Sequence, residues 1–370
     1  MKIDIFELER TQSLWENTVD YNLTETGIHP YTLEELLDPV EIAHLHSVRL
    51  SYGQTNGSTE LRDAISAMYP GTDQENVLVT SGSIEANFIA IWGLLSRGDE
   101  LVLMLPNYMQ IWGIARAFDV DVKPFYLEEK LKWQPDIEEL RELITPRTRV
   151  IAVCNPNNPT GAVLSTEAMN EIVQLAKEAD AWLYSDEIYR GAELSGNDTA
   201  SFYGLYDKTI VAGGLSKAYA LPGLRIGWLV GPHREIADCW ARRDYTTIST
   251  GILSNRIAAL ALQPGLRAKI LTRNRKILKE NLALLTQWVE RHGNRFTFIP
   301  PDAGGMAFLH YNMDINSTEL VTKLREEKST FIMAGDCFGM DRMVRIGIGC
   351  EKDYLLAGLE RFSEMLAEIR

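Results

Sequence analysis

Gly214-Leu215-Ser216-Lys217-Ala218-Tyr219-Ala220-Leu221-Pro222-Gly223-Leu224-Arg225-Ile226-Gly227 is the stretch on which the reading of this chain turns. It follows the apolar run Thr209-Ile210-Val211-Ala212, whose length and β-branched content read as a buried strand. Lys217 therefore stands just past a strand's carboxyl end, on a turn of small residues. Arg225 comes eight residues later, among apolar neighbours that make it look buried. The alternating run Leu224-Ile226-Trp228-Val230 returns too soon after Lys217 for a helical crossover, so an antiparallel neighbour is expected there. A lysine alone is most often a solvated surface residue, so its meaning depends on its company.

That company is specific. Asp186, in Asp186-Glu187-Ile188-Tyr189, ends the apolar run Ala181-Trp182-Leu183-Tyr184, and Asn158, in Asn155-Pro156-Asn157-Asn158-Pro159-Thr160-Gly161, follows Val150-Ile151-Ala152-Val153. All three polar groups thus sit past the carboxyl ends of strands, where open parallel sheets place their ligands. From about residue 61 to 231, apolar strands such as Leu101-Val102-Leu103-Met104-Leu105 alternate with amphipathic helices, one of them opened by Ser165 and Glu167. This βαβ pattern implies a mostly parallel sheet covered on both faces. A lysine that can form a Schiff base, with an arginine beside it to hold an anion, suits pyridoxal phosphate.

Together, Asn-Pro-x-Asn-Pro-Thr-Gly, Asp-Glu-x-Tyr, Ser-Lys-x-x-x-x-Pro-Gly-x-Arg-x-Gly and the late Val344-Arg345-Ile346 resemble fold-type I pyridoxal-phosphate enzymes of the class I/II aminotransferase family. The likeness runs from about Asn22 to the C-terminus. It implies an α/β large domain built on a mostly parallel, seven-stranded-type sheet flanked by helices, with a smaller α+β domain. The expected division is residues 1–45 as an N-terminal segment joining the small domain, 46–265 as the large cofactor-binding domain, and 266–370 as a long connecting helix and the small domain. Helical spacing runs almost throughout Asn255–Arg291. Beyond it come strand-like pieces at Phe296–Ile299, Ala307–Tyr311 and Met343–Ile346, and helices at Ser317–Lys328 and Glu351–Ile369.

The resemblance assigns roles residue by residue. Lys217 matches the covalent anchor and proton carrier, and Asp186 the carboxylate that keeps the pyridine nitrogen protonated. Tyr189 and Asn158 match the donors to the cofactor's phenolate oxygen, although Asn158 before Pro159 also reads as a turn residue. Ser83 and Ile84, opening a helix after Val77-Leu78-Val79-Thr80, are the expected phosphate amides, with Arg225 as the phosphate cation. Gly214 stands where the family often has a phosphate-binding serine, and Ser216 is the candidate substitute. Tyr108 matches the aromatic residue stacked on the ring, with a core tyrosine as the alternative. Tyr52 matches a tyrosine that reaches the neighbouring subunit's phosphate, which implies a homodimer with both sites at the interface.

On the substrate side, Arg345 matches the arginine that forks onto an α-carboxylate, with Asn158 and Gly27 close by. The loop Asn22-Leu23-Thr24-Glu25-Thr26-Gly27-Ile28-His29-Pro30 departs from the family's usual Gly-x-Pro-x-Phe and resembles the capreomycidine-synthase-like subgroup. Glu25 is expected either to border the side-chain pocket and pair a cation such as a guanidinium, or to cap a helix near Tyr31 or face water. The implied activity is transamination between an L-amino acid and a 2-oxo acid by a ping-pong mechanism. Elimination, replacement or cyclisation at the substrate's side chain is the alternative. A cofactor-sensing regulator is disfavoured, since the first twenty residues leave no room for a DNA-binding domain.

A formal net charge of −14 argues against nucleic acid as a partner. The beginning Met1-Lys2-Ile3-Asp4-Ile5-Phe6-Glu7 lacks a cationic segment and an apolar core, and no apolar run is long enough for a membrane span, so a cytoplasmic protein is expected. Cys154, Cys239, Cys337 and Cys350 are scattered without Cys-x-x-Cys spacing, which implies neither disulfides nor a metal site. Cys154 reads as a small buried core residue. No Gly-x-Gly-x-x-Gly follows a strand, so a nicotinamide or flavin fold has no support.

Overall fold

The computed structural model describes residues 3–196 and 198–369. Met1 and Lys2 of the expected N-terminal segment, Asn197 of the large domain and Arg370 at the chain's end lie outside the described residues. After a helix at Glu7–Trp15 comes the short strand β1 (Tyr21–Asn22). Eight strands then form one sheet: β2 (Val77–Thr80), β3 (Glu100–Leu105), β4 (Asp121–Glu128), β5 (Gln134–Pro135), β6 (Thr148–Cys154), β7 (Trp182–Asp186), β8 (Thr209–Gly214) and β9 (Gly227–Val230). Their order is β2-β9-β8-β7-β6-β3-β4-β5. The pairs from β8 to β4 are all parallel, whereas β9 runs antiparallel to both β2 and β8. The two-residue β5 extends the expected seven strands to eight, at an edge where Pro135 is tolerated.

The strands read as unbroken apolar runs because both faces are covered. Val102, Met104, Ile151, Val153, Leu183 and Val211 pack to one side. Leu101, Leu103, Val150, Ala152, Ile210 and Ala212 pack to the other. The helix Ser83–Leu94 is apolar nearly all round, and the helix Thr166–Glu178 is capped by the Ser165 side chain.

One expected boundary moves. Pro222–Leu224 forms a 3-10 turn and Arg225 adopts a left-handed φ of 52°, so β9 begins only at Gly227. Arg225 is also exposed, not buried as its neighbours suggested, because the left-handed residue swings it out of the strand's alternation.

The helical stretch after residue 251 is two helices, Ile252–Ala261 and Pro264–Arg291, the second opened by Pro264 where a missing N–H does no harm. Beyond it, β10 (Phe296–Phe298), β11 (Met306–Tyr311), β12 (Thr330–Phe331), β13 (Met333–Ala334) and β14 (Met343–Gly347) alternate with helices Ser317–Lys328 and Lys352–Glu368. Four of these strands form an antiparallel sheet in the order β10-β11-β14-β13. The remaining strand, β12, pairs in parallel with β1. The start of the chain is thereby fastened to its last third.

Candidate active site

The carboxyl ends of β6, β7 and β8 open into a cavity of about 300 Å³. Asp186 is the last residue of β7 and lies opposite Cys154 of β6 in the parallel register. Its carboxylate accepts hydrogen bonds at 3.1 Å from the Asn87 amide and from the Ile188 N–H. Burial raises its pKa, which these two donors only partly offset, and no cation among the described residues pairs with it. A buried carboxylate in this state is fitted to meet a cation supplied by a ligand.

The helix Ser83–Leu94 begins at the same rim. Its N-cap, Gly82, provides no capping side chain, so the first-turn amides of Ser83 and Ile84 stay available to an anion. The helix can sit this close to the sheet because of a glycine in β9: a Cβ on Gly227 would lie 2.4 Å from the backbone of Gly82 and Ser83. Arg225 lies alongside, its guanidinium so near that a Cβ on Gly82 would stand 2.6 Å from Nη2. Among the described residues its guanidinium donates only to the Pro222 carbonyl, at 3.2 Å, which leaves it donors to fork onto a phosphate. At Gly214 a side chain would meet Ile188 Cδ1 at 2.7 Å and the Ile226 carbonyl at 3.1 Å, which explains why no serine stands there. Ser216 lines the cavity.

Lys217 is about a quarter exposed and its Nζ lies 3.7 Å from Glu25 Oε2. The other oxygen of Glu25 accepts from Gln12 Nε2 at 2.6 Å. Glu25 borders the cavity while its side chain stays 54 % exposed to solvent, and it caps no helix: the helix after Tyr31 is Leu33–Leu36, capped by Thr32 with Glu35. The loop carrying Glu25 is admitted by two glycines, one ending β14 and one just after it. A Cβ at Gly349 would be 1.9 Å from the Gly27 carbonyl, and one at Gly347 would be 2.1 Å from that of Glu25. Gly27 does not line the cavity but backs onto the lysine, 3.1 Å from Ser216 O to the place of its missing Cβ.

Arg345 of β14 is 2 % exposed, and burial lowers its pKa. Its Nη1 donates to Asn158 Oδ1 at 2.8 Å and its Nη2 to the Thr24 carbonyl at 2.9 Å, while Nε has no partner. This orients the guanidinium and leaves donor capacity for a ligand. Asn158 is left with its amide nitrogen uncommitted. The Tyr189 hydroxyl shares a 2.7 Å hydrogen bond with Thr26, and burial pushes its pKa up.

Tyr108 lies on the cavity wall, its hydroxyl donating to Glu9 at 2.5 Å and its ring edge-on to Phe6. Cys154 is both a buried core residue and a wall residue, its thiol pushed up by burial. Tyr52 is 83 % exposed and lies away from this cavity, in a groove with Gly251 and Leu253.

Sequence reasoning missed the helix Glu7–Trp15, whose Leu8, Glu9, Gln12 and Ser13, with Glu16 at its C-cap, complete the wall. The signal was present: Glu9, Gln12, Ser13 and Glu16 recur at helical spacing on one face. Asn87 was missed too, although a buried amide inside an apolar helix is a marker of its kind.

A lysine, a cation-seeking buried carboxylate, an anion cradle and an incompletely paired buried arginine thus share one cavity. The sequence profile described as aminotransferase class I and II matches residues 17–362. The chain belongs to that family. It is 35 % identical to a PLP-dependent aminotransferase from Streptococcus suis, with a TM-score of 0.95, covering 100 % of this chain and 99 % of that one. It is 30 % identical over 349 residues to a capreomycidine synthase from Streptomyces vinaceus, covering 93 % of this chain and 89 % of the relative. A PLP-dependent cyclase, OrfR, superposes with a TM-score of 0.90 at 27 % identity, covering 100 % of this chain and 98 % of that one. The fold is that of the fold-type I aminotransferases, and the cofactor of this enzyme is pyridoxal 5′-phosphate.

Proposed function

We propose that this enzyme transfers an amino group between an L-amino acid and a 2-oxo acid. The observation that carries the reading is Arg345, buried with an unpartnered Nε, in the same cavity as Lys217. That pair suits an α-carboxylate held beside a base. Bound in this cavity, the cofactor supplies the electron sink that acidifies the substrate's Cα–H bond. Arg225 and the Ser83 and Ile84 amides would hold its phosphate, Asp186 would keep a proton on its ring nitrogen, Tyr108 would lie against its ring, and Asn158 and Tyr189 would donate to its ring oxygen. Arg345 fixes the substrate's carboxylate, and Lys217 takes the proton from Cα. Tyr52, exposed on this chain, is assigned to the partner's site in a homodimer. A cytoplasmic setting belongs to the same proposal, supported by four free thiols.

A second reading, elimination or cyclisation at the side chain, is supported by the relatives named as a capreomycidine synthase and a cyclase. Incubation with a panel of amino acids and no acceptor separates the two. Transamination releases one equivalent of 2-oxo acid per site and stops. Elimination or cyclisation continues for many turnovers, with ammonia or an altered side chain as product. Borohydride treatment of the holoenzyme should place the label on Lys217, and a label elsewhere would show the wrong lysine.

A further inference from the structure

Asp186 must stay ionised in a place that disfavours charge. It is 6 % exposed, and burial raises its pKa. The titratable groups that face it, Tyr108, Cys154, Tyr184 and Tyr189, are themselves pushed up by burial and stay neutral, so none supplies a counter-charge. Its support is two donors, the Ile188 N–H on one oxygen and the Asn87 side-chain amide on the other, each at 3.1 Å. A carboxamide helps only if its nitrogen, not its oxygen, faces the carboxylate.

The direction of the Asn87 amide is set from two sides. Tyr184 precedes Asp186 by two residues on β7, so both point to the face covered by the helix Ser83–Leu94, where the Tyr184 hydroxyl donates to Asn87 Oδ1. On the other side, Asn87 Nδ2 also donates to Gln110 Oε1 at 3.1 Å, and Gln110 Nε2 donates onward to the Ile84 carbonyl at 2.7 Å. Both N–H protons and the oxygen of this buried amide thus have a partner. A flipped amide would set its oxygen against the Asp186 and Gln110 oxygens, a clash relieved at Asp186 only by a proton on the carboxyl. Among the described residues the Tyr184 hydroxyl makes no other hydrogen bond, so its one proton selects the unflipped arrangement.

We propose that Tyr184 and Asn87 are positioning residues for the cofactor's ring nitrogen: Tyr184 fixes the Asn87 amide, the amide keeps Asp186 ionised, and the ring nitrogen keeps its proton. Neither residue lines the cavity. Through Gln110 the same amide reaches the turn that carries the Ile84 N–H, so the nitrogen end and the phosphate end of the site are tied to one side chain. The inference rests on the proposed use of Asp186.

The test loads the protein with pyridoxal phosphate labelled with nitrogen-15 in the ring, verifies loading by absorbance, and reads the nitrogen chemical shift, which separates a protonated ring nitrogen from an unprotonated one. The parent should give the protonated value. Tyr184→Phe, which removes only the hydroxyl, should move the proton equilibrium toward the carboxyl about tenfold, and Asn87→Leu about 10- to 100-fold, the range expected for one hydrogen bond to a charged group. The double variant should match Asn87→Leu alone, because Tyr184 acts through the amide. A parent-like shift in Tyr184→Phe, even in a protein that melts earlier, overturns the inference, as does a further displacement in the double variant. Tyr184→Phe decides by itself if Asn87→Leu does not fold. Asp186→Asn separates the reading beneath: a ring nitrogen still protonated in that variant removes Asp186 from its role and this inference with it.

Discussion

Gly227→Ala is the sharpest test of how the phosphate end is built. The added methyl would lie 2.4 Å from Gly82 C and Ser83 N, both backbone atoms of the turn that opens the helix Ser83–Leu94. Ordinary carbon contacts need about 3.5 Å, so the turn must retreat by roughly 1 Å. A hydrogen bond of about 2.9 Å stretched by that amount is no longer one. Losing one such charge-assisted bond to phosphate costs about 1.5–3 kcal/mol, which predicts a cofactor dissociation constant raised about 10- to 100-fold. The assay is absorbance titration of the apoprotein, with circular dichroism to verify the fold. Gly113→Ala is the control, since nothing lies within 4 Å of its added methyl. Parent-like cofactor affinity in Gly227→Ala would refute the claim that this glycine sets the position of the amides.

Three further outcomes follow from the geometry. Asp186→Asn should lower kcat by about 10²–10³, the size typical of a charge placed for the transition state, while cofactor retention falls much less; equal losses in kinetics and retention would make Asp186 merely structural. Arg225→Ala should show the opposite balance, with activity partly restored by excess cofactor, and normal retention on dialysis would assign the phosphate to another cation. Burial raises Glu187 from the ordinary 4.5 to about 7, with Arg190 and donors from Phe202 and Ser201 only partly opposing it. A carboxyl raised on folding stabilises fully below its unfolded pKa, and that contribution, about 3 kcal/mol, is lost as pH rises through 7. Glu187→Gln should flatten the fall in stability between pH 5 and 8 in denaturant melts, and parallel pH profiles would sink the argument.

The site's centre was legible because its residues sit at or just past the ends of apolar strands. Asp186 ends β7, while Asn158 and Lys217 follow shortly after the ends of β6 and β8, so all three could be placed from the pattern. Arg225 was placed on the right rim but with the wrong burial, because a left-handed φ at a non-glycine residue leaves no mark in hydrophobic alternation. The substrate-side wall was the least legible. Glu9 meets Tyr108 across 99 positions, and Arg345 meets Thr24 across 321. Local periodicity can assign a helix, but it carries no information about which distant surface that helix will cover. Glu25 was decided by the same kind of contact, with Gln12 and Lys217.

The parallel pairing of β1 with β12 has a consequence for the making of this protein. Backbone from Asp20 to Leu23 bonds to Ser329 and Phe331, and Gly347 then bonds back to Leu23. The ribosome delivers these partners some three hundred residues apart. The large sheet, whose strands all precede residue 231, can assemble while the rest is still being translated. The wall formed by the helix Glu7–Trp15 and the Glu25 loop cannot, because β12, the strand that fastens it, emerges near the end of synthesis. A nascent chain can therefore bring the ends of β6, β7 and β8 together well before that wall closes over them. Stalling or proteolysis in the last third would leave the carboxyl rim of the sheet open on that side.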